Sequence, residues 1–161
     1  MKIVKNFLDK EYFEKLKNQI VDNDAIPFYF QATVAHKDDA KDEKQFYFTH
    51  VCYNDHVPNS NLFELFKPLV KQINCKSLIR IKFNSYSRAD ELLEHYPHID
   101  YDYKHKGLVL SLNTCDGGTR ISKKFIPSVE NQALFFDPNV KHNSTTCTDK
   151  QARFNININY L

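Results

Sequence analysis

The 161-residue chain has only three glycines, Gly107, Gly117 and Gly118, and two of them are adjacent. Neither GxGxxG nor GxxxxGK[ST] occurs, so a glycine loop cradling phosphates is excluded. Cysteine is also sparse: Cys52, Cys75, Cys115 and Cys147 are scattered without a CxxC pair. A zinc knuckle needs close-spaced thiolates and a reducing compartment disfavours disulfides, so these four are expected to be buried or incidental thiols. Long apolar runs are missing as well. The start, MKIVKNFLDKEYFEK, lacks the apolar stretch of a secretory signal, and no later segment approaches a membrane span. A cytoplasmic protein without a membrane partner is the expectation. Charge of one sign is lacking too: 22 basic and 20 acidic residues are mixed along the chain, for a net charge of +2 with neutral His. That balance gives no electrostatic footprint for nucleic acid, though a local basic patch is compatible with it.

Large apolar side chains are plentiful. Hydrophobic residues make up 42 % and aromatics 14 %, with thirteen Phe and nine Tyr, enough for a real core. The length suits one domain over 1–161, with a helical and strand N-terminal part at 1–76 and a β-rich core at 77–161. Leu8, Tyr12, Leu16 and Ile20 recur every four residues, which predicts a helix over 7–21 with Asp9 placed to cap it. Residues 26–35 and 45–53 read as a strand pair across a charged loop at 36–44. A helix over 59–73 is capped near Ser60 and bent or divided at Pro68. From residue 77 the chain turns to short strands, among them LIRIKFNSY, GLVLSLN, TRIS, KKFIP, QALFFD and ARFNININY. The Asp-Gly of CDGG is expected to form a tight hairpin turn. Helices first and many short strands after them indicate α+β with a β-sandwich or small barrel.

Two strands show an informative alternation. Arg80, Lys82, Asn84 and Tyr86 share one face opposite Ile79, Ile81 and Phe83; Arg153, Asn155, Asn157 and Asn159 share one face opposite Phe154, Ile156 and Ile158. Two accounts fit. The polar face meets water, as in an ordinary one-sided sheet, or it lines the interior of a barrel while the apolar face packs under the helices. The stretch YPHIDYDYKH contains the one His-x-Asp of the chain, His98-Ile99-Asp100, which an extended backbone presents on one face. Alone that motif is weak, because a satisfied or exposed histidine reads the same way. Asp102 shares the face and rivals Asp100. His36, His50, His56, His95 and His105 have no partner at ligand spacing and are read as surface or loop residues.

The order of these pieces is informative: His98-x-Asp100, a hairpin with Gly-Gly, LFFD, His142 directly after that apolar strand, then Arg153 on the polar face of the last strand. It resembles the iron(II)/2-oxoglutarate-dependent dioxygenases. Residues 77–161 look like the prolyl-hydroxylase-like branch, and more narrowly like small single-domain members carried by bacteriophages. The resemblance implies a double-stranded β-helix, a cupin-like jelly-roll barrel, flanked by the N-terminal helices. It implies His98, Asp100 and His142 as iron ligands, since two imidazoles and a carboxylate on one face of ferrous ion leave positions open. It implies 2-oxoglutarate and O₂ as cosubstrates, with decarboxylation to succinate and CO₂ coupled to hydroxylation, and ascorbate to keep the iron reduced, as in similar enzymes. Arg153 would grip the far carboxylate, for which a planar guanidinium suits better than an ammonium.

Asn84-Ser85-Tyr86 resembles the Asn-x-Tyr whose side chains bind the cosubstrate, and Asn155 is placed as a further contact. Asn113 and Arg80 are inward candidates without a role, and Tyr96 and Tyr101 are candidates for shaping the entrance. The insert at 87–95 is a substrate lid or a plain connector. The substrate, a small molecule or a peptidyl group, is not fixed by a fold-level likeness. Three rivals stand beside this reading: a non-catalytic jelly-roll binding or scaffold protein, a nucleic-acid demethylase of the alkylation-repair type, and a cupin-like metal enzyme without cosubstrate. The demethylases usually carry a second arginine six residues after the first, where this chain has Asn159.

Overall fold

The computed structural model describes residues 1–35 and 41–161. His36 and most of the expected charged loop at 36–44 lie outside them. Helix α1 (Lys10–Ile20) begins where Asp9 accepts a hydrogen bond from the Tyr12 backbone N–H at 2.9 Å, satisfying one free donor of the first turn. Its Phe13, Leu16 and Ile20 are buried. The Ser60 hydroxyl caps a 3-10 turn over Asn61–Phe66, and α2 (Lys67–Gln72) follows with Pro68 in its first turn. There the missing N–H of proline costs no hydrogen bond, which explains the expected division.

The strands are β1 (Lys2–Val4), β2 (Tyr29–Gln31), β3 (Tyr47–Asn54), β4 (Val57–Pro58), β5 (Leu78–Ser87), β6 (Lys106–Ser111), β7 (Cys115–Ile121), β8 (Lys124–Ser128), β9 (Ala133–Phe136), β10 (His142–Ser144) and β11 (Ala152–Tyr160). The larger sheet runs β1-β9-β6-β11-β5-β3-β2, with β4 beside β3; the smaller runs β10-β7-β8. The N-terminal part therefore extends the sheet of the C-terminal part. β2 and β3 pair as expected, although the strand read over 26–35 shrinks to three residues. The two sheets form the double-stranded β-helix without closing into a barrel: β1 and β2 edge the larger one, and neither pairs with the smaller.

Ile81, Phe83, Ile156 and Ile158 are fully buried against Leu16, Ile20, Phe66 and Leu69. On the opposite face of β5 and β11, Asn84, Tyr86, Arg153, Asn155 and Asn159 are buried as well. Of the two accounts of the alternation, the inward polar face is the one the molecule adopts. Its side chains must find partners within the protein, because an unpaired polar group away from water costs heavily. No helix among the described residues is long and apolar enough to cross a membrane.

CDGG does not form the expected turn. Asp116, Gly117 and Gly118 lie inside β7, where the register shifts between Cys115 and Gly118, and neither glycine has a positive φ. The chain reverses instead at Ser122, φ 53°, between β7 and β8. The glycines allow close approach: a Cβ on Gly117 would lie 2.1 Å from the Thr146 carbonyl oxygen, and on Gly118 2.4 Å from that of Ile126. Gly117→Ala should therefore lower unfolding free energy by about 1–3 kcal/mol, the usual penalty for overfilling a packed site. Urea denaturation measures it, and an unchanged midpoint would contradict the close packing.

Candidate metal centre and pocket

His98 lies in an irregular segment, yet it forms an isolated antiparallel bridge with His142, the first residue of β10. The backbone N–H of each donates to the carbonyl of the other at 2.9 Å. Residues opposed in this way project to one side, and the imidazole centroids lie 4.7 Å apart. The turn that delivers His142 follows β9, where the Val140 N–H donates to Asp137 O at 3.0 Å, and Phe136 packs edge-on against the His142 ring at 4.9 Å. Asp100 is fixed two residues beyond His98 by its N–H donating to Pro138 O at 3.2 Å. Nε2 of His98 and Nε2 of His142 each lie 3.9 Å from an oxygen of Asp100. Asp102 is exposed and stands outside this group.

The donor set fits a divalent metal. Nδ1 of His98 faces Tyr96 O at 3.3 Å and Nδ1 of His142 faces Val140 O at 2.9 Å. A carbonyl oxygen only accepts, so Nδ1 carries the proton and each Nε2 presents a lone pair to the shared space. Burial, reinforced by His142, lowers the His98 pKa to about 4 against the opposing pull of Asp100. For Asp100, burial pushes upward, but Arg80, His142, Asn159 and Lys82 prevail and hold the carboxyl down at about 2. Arg80 donates to one Asp100 oxygen at 3.1 Å and Asn159 to the other at 2.8 Å. A pair of imidazoles presenting Nε2 and an ionised carboxylate suit ferrous ion.

At the far end, Arg153 is 1 % exposed. Its guanidinium donates to Thr145 O at 3.1 Å and to the Thr119 hydroxyl at 3.0 Å, and it stacks 5.1 Å over the Tyr86 ring. Its Nε has no partner, and among the described residues no carboxylate pairs with it. Asn84 and Asn155 sit between the two ends, the amide of Asn84 donating to that of Asn155 at 3.0 Å. All seven expected site residues, His98, Asp100, His142, Arg153, Tyr86, Asn84 and Asn155, line one pocket that opens to solvent.

Several groups depart from expectation. His50, His95 and His105 are buried rather than superficial. Their Nδ1 atoms face Pro27 O, Ser144 O and Tyr103 O, so backbone carbonyls supply the partners that burial demands. His56 is exposed, as expected. Asn113 does not enter the pocket; it holds the start of β11 by donating to Ala152 O and accepting from the Phe154 N–H. Tyr101 stacks on Tyr103 beneath Arg80, and neither it nor Tyr96 lines the pocket. The insert at 87–95 is tied down: Arg88 bridges Cys147, Glu94 bridges Thr145, and Glu94 pairs with Arg120. Cys115 meets the distant pair Cys147 and Asp149, their ligand atoms within 4.8 Å of one another. Burial raises both thiols, Cys147 to about 11, so they stand as protonated, inert sulfhydryls. Lys82, Asn157, Tyr47 and Thr119 also line the pocket without having been assigned to it. Parity could have signalled Lys82 and Asn157; nothing local marks Tyr47 or Thr119.

No protein-family model and no curated protein matches the chain. Solved structures do. A prolyl hydroxylase from Trichoplax adhaerens, in complex with a hypoxia inducible factor peptide fragment, superposes with TM-score 0.70 at 13 % identity, covering 99 % of this chain and 82 % of that one. A Pseudomonas putida prolyl-4-hydroxylase gives 0.67 at 11 %, covering 99 % and 91 %. An oxidoreductase of the 2OG-Fe(II) oxygenase family from Burkholderia pseudomallei gives 0.68 at 8 %, covering 98 % and 83 %. At these identities the likeness establishes the fold.

The site also sets an acid limit on stability. Burial lowers both His95 and His98 to about 4, against 6.5 for a free imidazole. The unfolded chain then binds protons more readily, so stability is intact above 6.5 and falls as pH drops towards 4. Metal-free protein should lose about 2 kcal/mol per histidine between pH 7 and 5. Chemical denaturation across that range reads the loss, and a flat profile would show that the rings titrate normally.

Proposed function

We propose that the protein is an iron(II)- and 2-oxoglutarate-dependent oxygenase that hydroxylates its substrate. The observation behind this reading is the pairing within one pocket of a His-Asp-His donor set and a buried guanidinium that lacks a carboxylate. A buried charge without a counter-ion is costly unless a ligand supplies one. 2-Oxoglutarate would do so at Arg153 while its other end reaches the metal. Bound iron and cosubstrate supply the oxidising chemistry, with 2-oxoglutarate converted to succinate and CO₂ and O₂ consumed.

The chain's own residues do the positioning. Val140 and Tyr96 carbonyls orient the imidazoles, Arg80 and Asn159 hold the carboxylate, and the Tyr86 ring packs against the Arg153 guanidinium. Asn84 and Asn155 are assigned to the cosubstrate wall between the ends. Thr119 and Thr145 occupy two guanidinium donors, leaving the remainder to grip a carboxylate. A non-catalytic scaffold gives no reason to bury Arg153 unpaired. A nucleic-acid demethylase is disfavoured because Asn159 bonds to Asp100 at the position of that group's second arginine. The peptide fragment held by the Trichoplax adhaerens neighbour supports a peptidyl group among the candidate substrates. A reductant such as ascorbate would keep the iron ferrous between turnovers.

Anaerobic addition of iron(II) and 2-oxoglutarate should produce a weak visible absorption at roughly 500 nm, as an iron-bound keto acid gives. His98→Ala and Asp100→Ala should each abolish it; persistence in both variants would mean the ligands are others. Arg153→Met should weaken 2-oxoglutarate binding by about 100-fold, the scale for losing one partner of a buried charge pair. Isothermal titration with redox-inert manganese(II) in place of iron reads this directly, and unchanged affinity would remove Arg153 from the site.

A further inference from the structure

Lys82 belongs to neither end of the pocket. It projects from β5 between Asn84 and Arg80, opposite Asn157 of β11, into the space shared with the metal donors. Its ammonium donates to the Tyr47 hydroxyl at 3.2 Å and lies 5.5 Å over that ring. Among the described residues no carboxylate pairs with it. The charges around it are Arg80, Asp100 and Arg153, with His98, His142, Tyr47 and Tyr86 as the other titratable groups facing the cavity. Arg80 is offset by Asp100. Asp100, already ion-paired to Arg80, is the one carboxylate that acts on Lys82, and it faces three cations, so the pocket keeps an excess of positive charge at Arg153 and Lys82. A ferrous ion and a 2-oxoglutarate dianion cancel each other, so loading the site leaves that excess in place.

We propose that Lys82 and Tyr47 form the recognition point for a carboxylate on the primary substrate, so that the oxygenase acts on an acidic small molecule or acidic side chain. This deepens the oxygenase reading and rests on it. Tyr47 accepts from Lys82 and keeps its own proton for donation, so the pair offers two donors to the two oxygens of one carboxylate. Burial raises the Tyr47 phenol, which therefore remains a donor at any physiological pH. Burial, aided by Arg80 and opposed by Asp100, lowers the lysine to about 7, and an arriving carboxylate would favour its charged form. A neutral substrate would leave that cation uncompensated.

The test uses protein loaded with manganese(II) and saturated with 2-oxoglutarate, which occupies Arg153. Glutamate and aspartate, free and as the central residue of N-acetylated, C-amidated tripeptides, are titrated beside the corresponding glutamine and asparagine compounds by isothermal calorimetry or NMR shifts. At least one acidic member should bind about tenfold or more tighter than its amide, the scale of one charged hydrogen bond. Lys82→Met should erase that preference and Lys82→Arg should restore most of it. 2-Oxoglutarate affinity should stay within twofold of wild type. No acidic preference, no binding by any acidic probe, or a preference surviving Lys82→Met overturns the proposal. So does loss of 2-oxoglutarate affinity in Lys82→Met, which would assign the lysine to the cosubstrate. If wild-type protein takes up no metal or 2-oxoglutarate, the oxygenase reading fails by itself, and the same paired probes on Arg153→Met protein still decide the role of Lys82.

Discussion

Two backbone hydrogen bonds, from His98 to His142 and back, set the geometry of the site. They join a segment outside regular structure to the smaller sheet, and they fix the imidazoles side by side before any metal is present. Everything else about the donor set is secondary to that clamp. Asp100 follows two residues later, held by its N–H on Pro138 O, and the carbonyls at 96 and 140 choose the tautomer of each ring. A metal arriving at such a place finds its ligands already ordered, so little conformational entropy remains to be lost on binding.

The clamp requires a scaffold that can bury a polar wall. β5 and β11 provide it by carrying apolar side chains on one face and amides and cations on the other, in register over eight pairs from Ala152–Ser87 to Asn159–Arg80. The apolar face is anchored by Phe83, which stacks on Phe66 at 5.3 Å beneath the helical segments. The polar face meets the smaller sheet across the pocket, where Arg153 reaches Thr119 and Thr145. Gly117 matters here because it lets Thr146 approach and lies 3.1 Å, by its would-be Cβ, from the Arg153 side chain. The backbone that carries Arg153's partners is thus held close by the absence of a side chain.

Much of this was legible before any coordinates. Strand period and residue type identified the polar face of β5 and β11, and the order His98-x-Asp100, His142, Arg153 supplied the ends of the pocket. The rest was hidden for physical reasons. Whether a polar face meets water or a cleft depends on what packs over it, and the smaller sheet that does so is discontinuous in sequence. CDGG looks like a turn because Asp-Gly is the commonest hairpin chemistry, yet the glycines answer a steric demand from Thr146 and Ile126 that no local pattern reveals. His50, His95 and His105 looked superficial because a polar residue without a sequence partner usually is. Each is buried on a carbonyl brought from elsewhere in the chain or from two residues away. Tyr47 was invisible as a pocket residue because β3 alternates aromatics on both faces.

The distribution of charge in the pocket gives the parts one logic. Asp100 is shared between Arg80, Asn159 and the imidazoles, so its negative charge is partly spent before a metal arrives. An arginine beside a ligand carboxylate weakens attraction for a dication while holding the carboxylate rigid, a trade of affinity for geometry. It also explains how the site tolerates being empty: Arg80 supplies the counter-charge that the metal would otherwise provide. Arg153 has no such internal partner, and Lys82 only shares the field of an Asp100 already ion-paired to Arg80. The cleft is therefore balanced at its metal end and unbalanced elsewhere, an arrangement that favours anions in the places where cosubstrate and substrate must enter. Selectivity built this way comes from charges the fold leaves uncompensated, not from the shape of the core that supports them.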